Sequence, residues 1–405
     1  MRIALFALLL GTVPVAARAP DGGGALAAAD LADALPPPPR EAIVRQLQRN
    51  EASLHQAGLL AAPTAAPTPL QWPLQVQPDY PYAGYFGVSN FVDHDAAFPG
   101  HVLDYACGAR SYDTAGGYNH AGTDYFLWPA PWRTMDAQQV AVVAAAPGTI
   151  VGRSDGNFDR SCAMGGADWN AVYVRHADGG TAWYGHLKNG SVTPKGLGES
   201  VAAGEFLGFV GSSGSSTAPH LHFELHDAAG QVVDPRHGDC NAAPERWAEP
   251  QAYEDPRINS LSLHTEAPVM LACGTVDGAP AQEDLHDTGV VAPGQAFYVM
   301  ASFRDQRRGE PSVLRLRRPD GGVHEEWRFD LTDGGLAGDF YAATYWYWRQ
   351  VLPGDAPLGV WRLEAQFQGQ DYATAFVVVS SAQQRRNRVE EARAAAARLA
   401  RAPRR

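Results

Sequence analysis

Several signatures that would assign a chemistry at sight are missing from this chain. No H-E-x-x-H occurs. The nearest approach, "HEEWR", has Arg328 where a second histidine would fall, so a zincin-type glutamate base is not available. No C-x-x-C occurs either, which removes the spacing of a zinc ribbon or a thioredoxin-like redox site. The serines of "GSSGSS", Gly211–Ser216, do not fall in a G-x-S-x-G and read as a flexible turn rather than a nucleophile elbow. No fixed-period repeat is present, and no ten-residue amphipathic helix pattern appears between Trp72 and Glu249. Charged residues are only 19% of the chain against 45% hydrophobic, which describes a globular protein with ample core.

What is present favours β-structure. The chain has 42 glycines and 30 prolines, which favour short strands and turns over long helices, and its 405 residues imply two or more domains. Residues 1–17 read as a secretory signal peptide: Arg2, an apolar core from Ile3 to Leu10, and small residues at Val15-Ala16-Ala17, with cleavage expected after Ala17. That core is too short to cross a membrane as a helix, so no span is expected in the mature chain. Export permits disulfides. The four cysteines allow three pairings, and Cys107–Cys162 with Cys240–Cys273 is favoured because each joins neighbouring segments. The formal net charge is −12, yet residues 381–405 hold eight arginines against Glu390 and Glu391, leaving the rest near −18. So acidic a body argues against nucleic acid as a partner, and the basic tail reads either as a contact for an anionic surface or as a solvated, frayed Ala/Arg helix. The sequence sets no oligomeric state.

Residues 18–70 read as a disordered, Ala/Gly/Pro-rich leader with a short helix at 41–60 and a linker at 61–69. Residues 71–250 alternate short apolar runs with Gly, Asp and Asn turns. Within them "NAVYVRHADGGTAWYGHL" reads as a hairpin turning at Asp178-Gly179. After an interruption at Glu249–Pro256, residues 257–380 form a second strand series that reads as a small Ig-like β-sandwich. There "YWYWR" puts Trp346 and Trp348 on one face, expected in the core, and Tyr345 and Tyr347 on the other.

The chemistry gathers around "HLHFEL". In a strand, His220, His222 and Glu224 share one face and Leu221, Phe223 and Leu225 the other, so the apolar face anchors two rigid imidazoles. Two histidines so spaced are weak evidence alone. "NHAGTDYF" supplies partners, His120 and Asp124, with Gly122 permitting a bend between them. Three ligands of types His, Asp and His with a position left for water suit catalytic rather than structural zinc. His186 ends the strand "WYGHL" and need not be a ligand. Tyr184, two residues before it, is a candidate for substrate contact or a half-buried strand residue, and Glu224 a candidate for orienting a ligand imidazole or a surface glutamate. His94, His101, His176, His226 and His237 read as surface residues.

The ordered set "HAGTD", "WYGHL", "GSSGSSTAPHLHFEL" resembles the lysostaphin/LytM-type zinc metalloendopeptidases, peptidoglycan hydrolases of the duplicated hybrid motif fold. The resemblance covers about Val140 to Asp234 and the His120 segment, and says little beyond about residue 250. It implies a mainly β fold, a curled antiparallel sheet with an open groove. It also implies one zinc held by His120, Asp124 and His222, with His186 and His220 catalytic. Ala218 stands where the family usually has glycine. Extra residues at Trp128–Gln139 and Asp155–Trp169 are expected to line the groove. The activity implied is hydrolysis of peptide cross-links or stem peptides of peptidoglycan by a zinc-activated water, in the periplasm or at the cell wall. Two other functions are carried forward: a secreted zinc protease acting on proteins, and a non-enzymatic cell-wall binding or regulatory protein on the same fold.

Overall fold

The computed structural model describes residues 15–26, 37–64, 66–165 and 168–380. Most of the expected signal peptide and the whole basic tail lie outside the described residues. The first half runs β1 (Gly22–Ala25), α1 (Pro37–Gln56), β2 (Leu74–Val76), β3 (Phe86–Val88), β4 (Thr123–Leu127), α2 (Pro131–Asp136), β5 (Val140–Val143) and β6 (Gly148–Ser154). It continues through β7 (Ala171–Arg175), β8 (Thr181–Gly185), β9 (Ser200–Val201), β10 (Phe206–Phe209), β11 (His220–His226) and β12 (Val232–Val233). The second half is β13 (Arg257–His264), β14 (Thr275–Val276), β15 (Ala279–Pro280), β16 (Val290–Val291), β17 (Ala296–Arg307) and β18 (Ser312–Arg317). It ends with β19 (Val323–Phe329), β20 (Phe340–Val351), β21 (Gly359–Phe367) and β22 (Gln370–Val378).

The fold is mainly β and largely antiparallel, as the sequence predicts. One sheet has the order β3-β4-β11-β8-β7-β6-β9, with β12 on β11, and β10-β5-β2 form a second. Their shared core holds Tyr125, Val142, Ile150, Val172, Val174, Tyr184, Leu207, Leu221, Phe223 and Leu225. The alternation in "HLHFEL" therefore does what its period requires. Leu221, Phe223 and Leu225 are each at most 1% exposed, a burial that stabilises by about 1.5–3 kcal/mol per side chain and fixes the opposite face of β11.

Two sheets form the second half, β1-β20-β17-β13 and β16-β22-β21-β18-β19, packed about Phe303, Phe329, Trp346, Trp348, Trp361 and Phe376. Alternation again decides orientation: on β18, Ser312, Leu314 and Leu316 face inward while Arg315 and Arg317 pair across the sheet with Glu326 and Glu364. Trp346 and Trp348 occupy the core, and Tyr345 and Tyr347 pack against a cluster that includes Phe126, Trp128 and Ala218 of the first half.

Three expectations need correction. The disulfides are Cys107–Cys240 and Cys162–Cys273, not neighbouring pairs. Chain distance was the wrong guide, because the second bridge joins the loop after β6 to the start of the β14–β15 hairpin, across the two halves. Part of the leader is also ordered: Gly22–Ala25 is an edge strand on β20, where Gly23 has φ of 125° and a Cβ would lie 2.1 Å from the Tyr345 carbonyl oxygen. Arg328 donates its backbone N–H to the Ala16 carbonyl at 2.9 Å, so the chain before β1 lies along β19. The insert at Trp128–Gln139, expected to line the groove, instead faces the sandwich. The Trp128 indole donates to the Phe303 carbonyl at 2.9 Å, and the Glu283 carboxylate accepts the backbone N–H groups of Trp132 and Arg133 at 3.1 Å.

One buried group ties stability to pH. His264 is fully buried, with Nδ1 at 2.7 Å from the Leu285 carbonyl and Nε2 at 2.8 Å from the Ser262 hydroxyl. Burial holds its pKa below the ordinary histidine value. The unfolded imidazole takes up a proton near pH 6.5 while the folded one stays neutral to lower pH, so protons favour unfolding. The contribution is full above about pH 6.5 and is lost as pH falls below it. Thermal melts should therefore show stability falling between pH 7 and pH 5, with a shallower fall in His264→Gln.

Candidate metal centre

The site is built on β11 and its two neighbours. In the antiparallel β11–β4 pair His222 lies directly opposite Asp124, and in the β11–β8 pair it lies opposite Gly185. Directly opposed residues share a sheet face, so register alone sets Asp124 beside His222. His120 enters from the turn before β4. Its backbone N–H donates to the Tyr112 carbonyl at 3.1 Å, and its ring is stacked on Tyr112 with centroids 4.7 Å apart. Gly122 has a reason other than a bend: a Cβ there would stand 2.7 Å from the His222 ring and 2.6 Å from the Phe223 carbonyl.

His120, Asp124 and His222 bring their ligand atoms within 4.8 Å of one another. His120 Nε2 is 3.0 Å from Asp124 Oδ2 and 3.3 Å from His222 Nδ1, and His222 Nδ1 is 2.9 Å from Asp124 Oδ1. The second nitrogen of each ring decides what the first presents. His120 Nδ1 is 2.7 Å from the Phe91 carbonyl, which can only accept, so the proton sits there and Nε2 offers a lone pair. His222 Nε2 is 3.2 Å from Glu224 Oε2, and in the tautomer protonated on Nε2 its Nδ1 offers a lone pair. Two lone pairs and a carboxylate thus converge, a repulsive set that a divalent cation resolves. A tautomer-fixing acceptor behind each imidazole is the usual support for zinc-binding histidines. The Asn90 amide, donating to Asp124 Oδ2 at 3.0 Å, orients the carboxylate. The residues fit the zinc that the sequence implies.

His186 and His220 stand next to this cluster with ring centroids 4.5 Å apart. Each turns Nδ1 to a carbonyl: His186 to Ser213 at 2.5 Å and His220 to Ala218 at 2.8 Å. Each therefore aims Nε2 elsewhere, and His220 Nε2 is 3.8 Å from Asp124 Oδ1. His186 follows the last residue of β8 and has φ of 60°, a left-handed conformation uncommon outside glycine. That twist separates it from Tyr184, which a continuous strand would place on the same face. Tyr184 is in the core, accepting the Ala145 N–H at 2.8 Å, with its phenol pKa raised by burial. It does not face the site.

The "GSSGSS" stretch is a buried support rather than a flexible turn. Ser212, Ser213, Ser215 and Ser216 are at most 1% exposed, and the Ser216 hydroxyl bridges Ser212 at 2.7 Å and His220 Nδ1 at 3.3 Å. A G-x-S-x-G does occur at Gly152–Gly156, but it ends β6 and runs into a loop. Its Ser154 accepts from the Asn157 amide and is no elbow nucleophile. Two histidines read as surface residues are buried: His176, whose pKa burial lowers, and His226, stacked on Trp183 at 4.6 Å. The five side chains of the cluster, His120, Asp124, His186, His220 and His222, are each at most 1% exposed. Trp169, at the end of the second insert, packs beside the cluster, its ring 5.0 Å from that of His186 and 5.8 Å from that of His222.

Residues 131–235 match the model of peptidase family M23. The segment is an M23-family peptidase domain. The match begins after His120 and Asp124, which reach the M23 segment through the β4–β11 pairing. A DD-carboxypeptidase/endopeptidase, Mpg, of Neisseria meningitidis is 45% identical over 93 residues, 23% of this chain and 20% of that protein. The glycyl-glycine endopeptidase ALE-1 of Staphylococcus capitis is 32% identical over 108 residues, 27% of this chain and 25% of that protein. The lysostaphin catalytic domain of Staphylococcus simulans is 25% identical, covering 38% of this chain and 89% of that domain, with a TM-score of 0.23. The matched stretch is about a fifth to a quarter of the length of Mpg and ALE-1.

Proposed function

We propose that the protein is an exported zinc endopeptidase that hydrolyses the stem peptides or peptide cross-links of bacterial peptidoglycan. The observation that carries this reading is the convergence of His120 Nε2, Asp124 and His222 Nδ1 beside two further imidazoles. Names of similar proteins, a DD-carboxypeptidase/endopeptidase and a glycyl-glycine endopeptidase, support the substrate class.

His120, Asp124 and His222 would hold the ion. Zinc held there supplies Lewis acidity to a scissile carbonyl and lowers the pKa of a water from about 15.7 to about 7. His220 and His186 present Nε2 as an acceptor when neutral and as a donor when protonated, while carbonyl oxygens hold Nδ1 of each. The pair can therefore take a proton from water and return one to the carbonyl oxygen or the leaving amine.

Purified protein loaded with zinc should release peptide-cleaved fragments from isolated cell walls, lose that activity to a chelator and regain it with added zinc. Mass analysis of defined muropeptides identifies the bond. Absence of wall cleavage after confirmed zinc loading, or faster turnover of casein than of cell wall, overturns the substrate assignment.

A further inference from the structure

We propose that Arg40, on α1, is a positioning residue for the metal ligand His222, so that the N-terminal helix is a working part of the peptidase domain. The proposal rests on the zinc reading above. α1 begins with prolines, which the first helical turn tolerates, and its Leu47 and Leu54 are buried against Val151, Trp169, Tyr173 and Trp183 of the site-bearing sheet. Two polar contacts lie further along the helix: Asn50 donates to the Val151 carbonyl at 2.8 Å, and Glu51 pairs with Arg175 at 2.8 Å.

This docking carries the Arg40 guanidinium over the Trp183 ring, 5.0 Å from its centroid, and onto Glu224. Glu224 has no exposed side-chain surface. Arg40 Nη1 donates to Oε2 at 2.9 Å and Nη2 donates to Oε1. The same Oε2 lies 3.2 Å from His222 Nε2, and Oε1 lies 2.5 Å from His226 Nε2. The planar fork thus locks the carboxylate in the one orientation that meets the His222 N–H. That contact in turn fixes the ring so that Nδ1 faces His120 and Asp124. Four residues in line, Arg40, Glu224, His222 and Asp124, connect a helix outside the M23 match to the metal cluster.

Second-line partners of zinc-binding histidines typically contribute about 10- to 100-fold in metal affinity. Zinc affinity, read by competition with a chromophoric chelator, and the ligand-field spectrum of the cobalt-substituted full chain test the proposal. Arg40→Ala should bind zinc about 10- to 100-fold more weakly, with an altered cobalt spectrum. Arg40→Lys, which keeps the charge without the fork, should recover part of the loss. Glu51→Gln, which removes a different contact of the same helix, should keep parental affinity and spectrum. Parental affinity in Arg40→Ala overturns the proposal, as does an equal loss in Glu51→Gln, which would assign the effect to helix docking in general. Failure of the unmutated chain to bind zinc would instead defeat the metal reading.

Discussion

His222→Ala is expected to lose both zinc and activity, whereas His220→Ala is expected to keep zinc and lose activity by about 10²- to 10⁴-fold in kcat, the usual contribution of a positioned proton-transfer group. The two residues are one side-chain pitch apart on the same face of β11, so sequence position does not separate their roles. Their surroundings do. His222 presents Nδ1 to Asp124 at 2.9 Å and to His120 at 3.3 Å, with a carboxylate behind Nε2. His220 turns Nδ1 back to its own loop and keeps Nε2 3.8 Å from the nearest Asp124 oxygen, a distance that suits reach toward a water or substrate beside the ion.

Metal content by elemental analysis, paired with kcat and KM on a defined muropeptide, separates the outcomes. His120→Ala and Asp124→Ala should group with His222→Ala, and His186→Ala with His220→Ala. Loss of zinc in His220→Ala equal to that in His222→Ala would place both imidazoles on the metal and end this division of labour. Full zinc and full activity in His222→Ala would remove the site from the chemistry altogether.

The parts of this site legible in the sequence are those set by strand period. Alternation in "HLHFEL" is enough to put His220, His222 and Glu224 together, because Leu221, Phe223 and Leu225 have only one core to enter. Tyr184 shows where that logic stops. It depends on an unbroken strand, and the positive φ of His186 breaks it by one residue. Contacts from distant segments were not legible for a plainer reason: nothing local marks them. Asn90 on Asp124, the Phe91 carbonyl on His120, the Ser213 carbonyl on His186 and Arg40 on Glu224 each come from outside the motif they support. Arg40 follows a proline run that reads as leader, and only docking of α1 gives it meaning. The serine stretch carried a usable signal, since four small polar residues just before a histidine strand can fill a tight, buried, hydrogen-bonded turn as well as an exposed flexible one.

Removing the Cys162–Cys273 bridge should cost about 2–4 kcal/mol, a fall in melting temperature of roughly 3–5 °C for a chain of this length, and should raise KM without removing zinc. The bridge spans 111 residues, a long loop whose closure restricts the unfolded chain strongly. It also joins the loop that ends at Trp169 to the β14–β15 hairpin of the second half. That junction is reinforced by Arg160, which donates to the Gly274 carbonyl at 2.7 Å and the Ala281 carbonyl at 2.8 Å, and pairs with Asp136. The second half is thus braced against the loop that carries Trp169. Without the bridge, Cys162→Ser/Cys273→Ser should leave His120, Asp124 and His222 in place, because β4 and β11 hold Asp124 and His222 while the Phe91 carbonyl and the Tyr112 ring hold His120. Trp169 should be less well placed, and substrate binding rather than metal binding should register the change. A parental melting temperature in the double variant would mean that the Arg160 contacts and the Trp128–Phe303 interface hold the halves together unaided. Loss of zinc in the same variant would mean that the second half stabilises the metal cluster directly.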